Sequence, residues 1–230
     1  MLMIDTNEYK AGRHSVNATR VIVSVFGVIF ALGGICHGFF EALQGNTPIK
    51  GLIIHAIGEA NRMWVYGNEP AFTIIPNFLI TGIASIIVSL AIIIWSVGFI
   101  DRRNGPLIFL LLFILLFLVG GGIGQVIFFT LIWAFATRIN KPLTWWRRTL
   151  PVSMRKALAR QWRSYLAISS ILILFALEVA VFGIVPGISD PDSITIAMLT
   201  SLGFGLLFML LAFVSGFAHE IEKKEIYNYE

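Results

Sequence analysis

Residues 107–136 read LIFLLLFILLFLVGGGIGQVIFFTLIWAFA. The stretch has no charged residue, and it is longer than the roughly 20 apolar residues that cross about 30 Å of hydrocarbon. Its centre, Gly120-Gly121-Gly122-Ile123-Gly124, is a poor helix: each glycine costs about 1 kcal/mol relative to alanine. Two readings compete. One is a single tilted span. The other is a re-entrant hairpin, whose arms of roughly 13 residues, about 20 Å each, are too short to cross alone. Irregular backbone at membrane depth is tolerated only under a cover of protein or water. Length therefore favours the single span, and that is the expectation adopted.

Four further runs flank it: Val21–Phe40, Thr73–Ile100, Tyr165–Val185 and Ile194–Ala218. They are apolar all round and do not alternate, which selects helices over a β-barrel. The composition agrees. Hydrophobic residues make up 57% and charged residues 13%, with a mean hydropathy of +0.83. A soluble domain carries about 25% charged residues. The expected fold is all-α: one polytopic integral membrane domain over 1–230, with five transmembrane helices. Residues 1–19 are polar and no small-residue cleavage site follows the first apolar run, so no cleaved leader is expected.

Lys and Arg in short loops mark the cytoplasmic side. With five spans, twelve Lys/Arg gather on one face and five on the other, which places the C-terminus inside and the N-terminus outside the inner or plasma membrane. The hairpin would give fifteen against two and bring the N-terminus inside. Small residues line one face of the first span (Ser24, Gly27, Ala31, Gly34, Gly38) and of the second (Gly82, Ser85, Ser89). Such stripes let helices approach closely. Trp64, Tyr66, Trp95, Trp133, Trp145 and Trp146 fall near span ends, as belt aromatics do.

Two segments outside the spans carry a pattern. Ile49–Val65 follows Pro48 and places His55, Glu59 and Arg62 on one polar face, the signature of an interfacial amphipathic helix. Thr137–Ser164 holds eight cations and no acid, with Pro151 placed to open a helix. Arg147, Arg148, Arg155, Lys156, Arg160 and Arg163 there are candidates for anionic lipid or an acidic partner, at about 1 kcal/mol per cation near such headgroups. A lipid role already accounts for these charges, so nucleic acid is not expected as a partner.

Candidate chemistry is sparse. Glu178 lies in an apolar run, where an ionised carboxylate costs about 2.5–3.5 kcal/mol or more. It is expected to face the bundle interior, with Gln125 and Asn77 as polar partners. Gly120, Gly121, Gly122 and Gly124 would supply an unwound segment beside a cavity. His37 and Glu41, at i, i+4, could join His219 in a site for Zn, Mn or Fe, or a bis-histidine haem could bridge His37 and His219. No cofactor is favoured. The lone Cys36 excludes an internal disulfide, CxxC redox chemistry and cysteine zinc sites. The sequence has no GxSxG, no HExxH and no P-loop. The leading expectation is a small transporter or ion- or proton-conducting subunit with an intramembrane carboxylate, working as a homo-oligomer or in a membrane complex. The alternatives are a non-catalytic subunit that docks a partner or lipid through its basic loop, and a metal- or haem-binding membrane enzyme.

Overall fold

The structure is a computed structural model that describes residues 17–227. Lys10, Arg13 and His14, which entered the charge count and the search for ligands, lie outside the described residues. Helix α1 (Ala18–Leu43) begins where the Asn17 side chain accepts the Arg20 N–H at 2.9 Å. Strand β1 (Ile53–His55) and a 3₁₀ turn (Glu59–Asn61) lead to β2 (Pro70–Thr73). Helix α2 (Phe78–Gly98) follows, then α3 (Gly105–Leu118), β3 (Val119–Gly122) and α4 (Gln125–Ala136). The short α5 (Thr144–Thr149) precedes a long antiparallel pair, α6 (Val152–Phe182) and α7 (Pro191–Tyr227).

Four of these helices, α1, α2, α6 and α7, are long and apolar enough to cross a membrane. They leave Leu32, Ile87, Ile94, Ile171 and Ile196 exposed on their outer faces. Contiguous apolar surface of this kind marks contact with a membrane or partner, not a water-facing monomer. The chain reads as an integral membrane protein.

The stretch 107–136 is not one helix. It is a hairpin of 14 and 12 residues, and β3 is its apex. Phe113 and Phe129 stack across it at 4.0 Å. Residues Pro106 and Leu107 at its base share a cavity with Trp133 and Ala136. What makes the apex possible is pairing. β3 runs antiparallel to β2 (Ala71↔Gly122, Thr73↔Val119), and β2 runs antiparallel to β1 (Ile53↔Phe72, His55↔Pro70). The unwound backbone thus finds partners in a small sheet at one end of the bundle, which answers the demand that non-helical backbone be covered.

The same sheet replaces the interfacial helix expected over Ile49–Val65. Ile53 points outward and Ile54 inward, a strand alternation too short to stand out in the sequence. Span two likewise starts later than residue 73, because Thr73 still belongs to β2.

The two ends of the bundle are now defined. One is the sheet end. The other collects the start of α1, the 99–104 turn, α5, the start of α6 and the end of α7. Arg20 meets Asp101 at 3.5 Å, and Ala18 N donates to Glu220 Oε1 at 2.7 Å. The start of α1 therefore lies beside the end of α7, on the same side. The expectation that the first helix starts and the last helix ends on opposite sides rested on the single-span reading and falls with it; the two termini themselves lie outside the described residues. Thirteen Lys/Arg belong to this end, against Lys50 and Arg62 at the sheet end, among the described residues.

Candidate functional site

Gly33, His37 and Glu41 sit at i, i+4 and i+8 and share one face of α1. That face packs against the hairpin apex in register. Gln125 lies over Gly33, Gly122 over His37 and Gly120 over Glu41. The glycines are required by contact. A Cβ on Gly33 would sit 2.7 Å from Gln125 Nε2, and one on Gly122 would sit 2.8 Å from His37 Nε2. A Cβ on Gly120 would collide with both carboxyl oxygens of Glu41, and Gly120 also holds φ at +117°. These positions carry no side chain because α1 has already filled the space.

The polar groups brought together here are mostly unpaired. Glu41 is 0% exposed, His37 8% and Gln125 6%. Both Glu41 oxygens, His37 Nδ1 and Gln125 Oε1 have no hydrogen-bond partner among the described residues. His37 Nε2 is 3.6 Å from Glu69 Oε2. A buried polar atom left unsatisfied costs about 1–3 kcal/mol, and more for a charged group. Three such side chains on one face are a standing cost that helix packing does not explain.

The row opens sideways into a cavity of about 410 Å³ between α1 and α6. Gln125, His37, Glu69 and Glu178 form its polar lining, and Leu32, Leu174, Leu177 and Phe182 are among its apolar walls. Glu178 and Gln125 thus line one cavity. The depth of Glu178 is different. The helix that carries it starts at Val152 and ends at Phe182, so Glu178 sits one turn from its sheet end. Its side chain is exposed on the groove rather than turned into the bundle. The carboxylate buried at this end is Glu41, 0% exposed; Glu220 is buried at the basic end.

Asn77 is not in this cavity. It caps α2 by accepting the Ile80 N–H at 3.1 Å, and it donates to Asn46 Oδ1 at 2.7 Å. Gly121 packs against the backbone of Leu116, and nothing lies within 4 Å of a Cβ on Gly124. Of the four apex glycines, only Gly120 and Gly122 face the polar row.

Toward the basic end, α1 and α2 pack closely. A Cβ on Gly38 would lie 2.6 Å from Gly82 O. Thr81, Ser85, Ser89 and Ser96 are fully buried in this seam. Ser85 Oγ donates to Gly34 O at 3.1 Å, while Ser89 Oγ and Ser96 Oγ have no partner among the described residues. The seam is polar and closely packed: a Cβ on Gly27 would lie 2.5 Å from Ser96 Oγ, and one on Gly34 would collide with Ser89 Oγ.

The metal candidates do not converge. His219 contacts Trp162, 5.8 Å between ring centroids, beside Glu220 and Ala18 at the basic end. His37 is nineteen residues further along α1 than Ala18, about 29 Å at the helical rise. His37, Glu41 and His219 cannot share one ion, nor His37 and His219 one haem. Among the described residues no group of three His, Cys, Asp or Glu is placed to hold a metal.

The six cations expected to meet lipid or a partner divide. Arg155 is 4% exposed and is held by Glu222 at 2.5 Å and Glu225 at 2.7 Å. Arg147 reaches Glu225 at 3.0 Å. Arg163 lies over the Trp162 ring, 5.3 Å from its centroid. Arg148, Lys156 and Arg160 are exposed.

One functional candidate, Glu69, escaped the sequence reading, and Glu41 was read there only as a metal ligand. Glu69 has no pattern around it and reaches the site through a loop with φ at 42°. The burial of Glu41 did have a signal. His37 and Glu41 alternate with Gly34 and Gly38 on the small-residue face, so a close neighbour was due there. No protein-family model matches the chain, and no curated protein or solved structure matches it either.

Proposed function

We propose that the protein is a small transporter that carries a proton or small cation through an intramembrane carboxylate, Glu41. The observation that supports this most directly is the row of buried, unpartnered polar groups, Gln125 Oε1, His37 Nδ1 and Glu41 Oε1 and Oε2, next to a cavity open on one flank. Ionisable side chains inside a membrane protein are costly and by default mark a pathway. His37 lines the cavity and lies one turn from Glu41, so it stands between the carboxylate and the open space. The packed α1–α2 seam favours a carrier over an open channel: passage to the basic end requires the helices to part along Ser85, Ser89 and Ser96. The excess of Lys and Arg supports a cytoplasmic placement of the basic end, and so of both ends of the described chain.

Proteoliposomes loaded with a pH-sensitive dye test the reading. A potassium diffusion potential is expected to drive proton entry with wild-type protein. Glu41→Gln keeps the shape of the side chain and is expected to reduce entry to that of empty liposomes. Equal flux in the variant, or none in wild type, would overturn it.

A second reading has its own observation. Arg148, Lys156 and Arg160 are exposed beside exposed Trp145, Val152 and Met154. Cations next to apolar and aromatic side chains suit an anionic headgroup layer. This end would then anchor the protein to anionic lipid, independently of transport.

A further inference from the structure

We infer that the groove between α1 and α6 is a binding site for a lipophilic cation: a single positive charge on an apolar body. The inference deepens the transport reading by naming a cargo class, and it rests on that reading only for movement of the cargo, not for its binding.

The argument begins with size. A cavity of about 410 Å³ lies within the range of roughly 300–1,000 Å³ used by small-molecule sites. Its walls are apolar: Leu32, Leu174 and Phe182 are exposed on the flank, so a ligand enters from the hydrocarbon and not from water. The carboxylates that line it, Glu69 and Glu178, are not balanced by Lys or Arg among the described residues. Two carboxylates at the end of an apolar slot repel a fatty acid or a phosphate ester. Glu69 has only the His37 ring beside it, with Nε2 at 3.6 Å, and Glu178 has no ion-pair partner among the described residues, so a cation would supply the missing charge. Coulomb attraction at this depth is several-fold stronger than in water.

A second observation points the same way. Gln125 and His37 are more than nine-tenths buried, line the same cavity, and keep Oε1 and Nδ1 without a partner among the described residues. The acid pair is therefore part of a prepared polar end. Zwitterionic lipid does not fit it, since its phosphate would face the same carboxylates.

Tetraphenylphosphonium is a suitable probe, with tetraphenylborate as a control of equal size and opposite charge. Binding of labelled tetraphenylphosphonium to the full chain in phosphatidylcholine nanodiscs is expected to saturate. Glu178→Gln and Glu69→Gln are each expected to weaken it about tenfold, the effect of one charge pair of intermediate screening. Glu178→Asp keeps the charge and is expected to stay within about threefold, which separates loss of charge from loss of fold. Tetraphenylborate is expected not to compete. Unchanged affinity in both glutamine variants, or equal binding of tetraphenylborate, would overturn the inference. Saturable, charge-dependent binding by a protein without proton flux would leave the groove standing and remove the transport reading. Proton flux without binding would do the reverse.

Discussion

The basic end and the sheet end treat buried polar groups in opposite ways. At the basic end the buried charged side chains are paired, although Ser96 Oγ and Ser215 Oγ have no partner among the described residues. Arg155 is gripped by Glu222 and Glu225, Arg147 adds a contact to Glu225, and Glu220 accepts the Ala18 N–H. At the sheet end Glu41, His37 and Gln125 keep buried atoms without a partner among the described residues. Paired charge fixes helix ends together. Unpaired charge costs stability and survives where something outside the chain must use it. The contrast assigns stability to one end and chemistry to the other, and the following variants can break it.

The largest effect is expected at Gly120. Alanine there brings strain at φ +117°, about 1–3 kcal/mol, and overpacking against Glu41, about another 1–3 kcal/mol. Gly124→Ala, with open space and an ordinary φ, is expected to be harmless or slightly stabilising. Thermal unfolding in detergent, followed by loss of monodisperse protein, compares the two. Equal stability would mean that the apex does not rest on Glu41.

Next comes the clasp. Arg155→Leu removes the cation that bridges Glu222 and Glu225 and leaves Glu225 its contact with Arg147, and a loss of about 3 kcal/mol is expected. The opposite sign is expected at the other end. Glu41→Leu removes an acid that has no partner to lose, and a gain of about 1–3 kcal/mol should accompany the loss of proton flux. Two losses of similar size would erase the distinction between the ends.

These ends were unequally visible in the sequence. Hydropathy located the long helices, and the Gly27-Gly34-Gly38 and Gly82-Ser85-Ser89 faces do pack together, because small residues at helical spacing leave a direct mark. The hairpin was half legible. The charge count favoured it, and arm length argued against it. The length argument omitted what a sheet supplies at the apex. β3 is valine and three glycines, which have no strand pattern, and its partner Ala71 is about fifty residues away in the chain. Glu178 was placed by the centre of a hydropathy run over 165–185. The helix extends to Val152, and this extension sets the depth. No local pattern marks Glu69, which arrives by tertiary folding alone.

A smaller effect tests how the sheet end is moored. Trp64 Nε1 donates to Ala180 O at 2.9 Å, and its ring occupies the space left by Gly183, a left-handed helix cap at φ 65°. Trp64→Phe removes the donor and part of the ring. A loss of about 1 kcal/mol is expected from the hydrogen bond. A faster tetraphenylphosphonium off-rate should accompany it, since Val181 and Phe182 at the groove belong to the same helix end.

The smallest effect is a titration. Tyr66 Oη donates to Asp192 Oδ1 at 3.0 Å, joining the loop before β2 to the first turn of α7. That hydrogen bond, followed by the negative charge of Asp192, raises the phenol above its usual value near 10. A raised acid stabilises the fold below its unfolded value, and the contribution is lost as pH climbs through the folded one. The mooring should therefore hold at neutral pH and loosen only in strong alkali. The difference in phenolate absorbance between wild type and Tyr66→Phe reads this group alone. Its midpoint is expected above that of a free tyrosine, and Asp192→Asn should bring it back down. A midpoint unchanged by Asp192→Asn would mean that α7 and the sheet end are not joined here. The mooring of the sheet end would then rest on the Trp64 contacts with Ala180 and Gly183 at the end of α6.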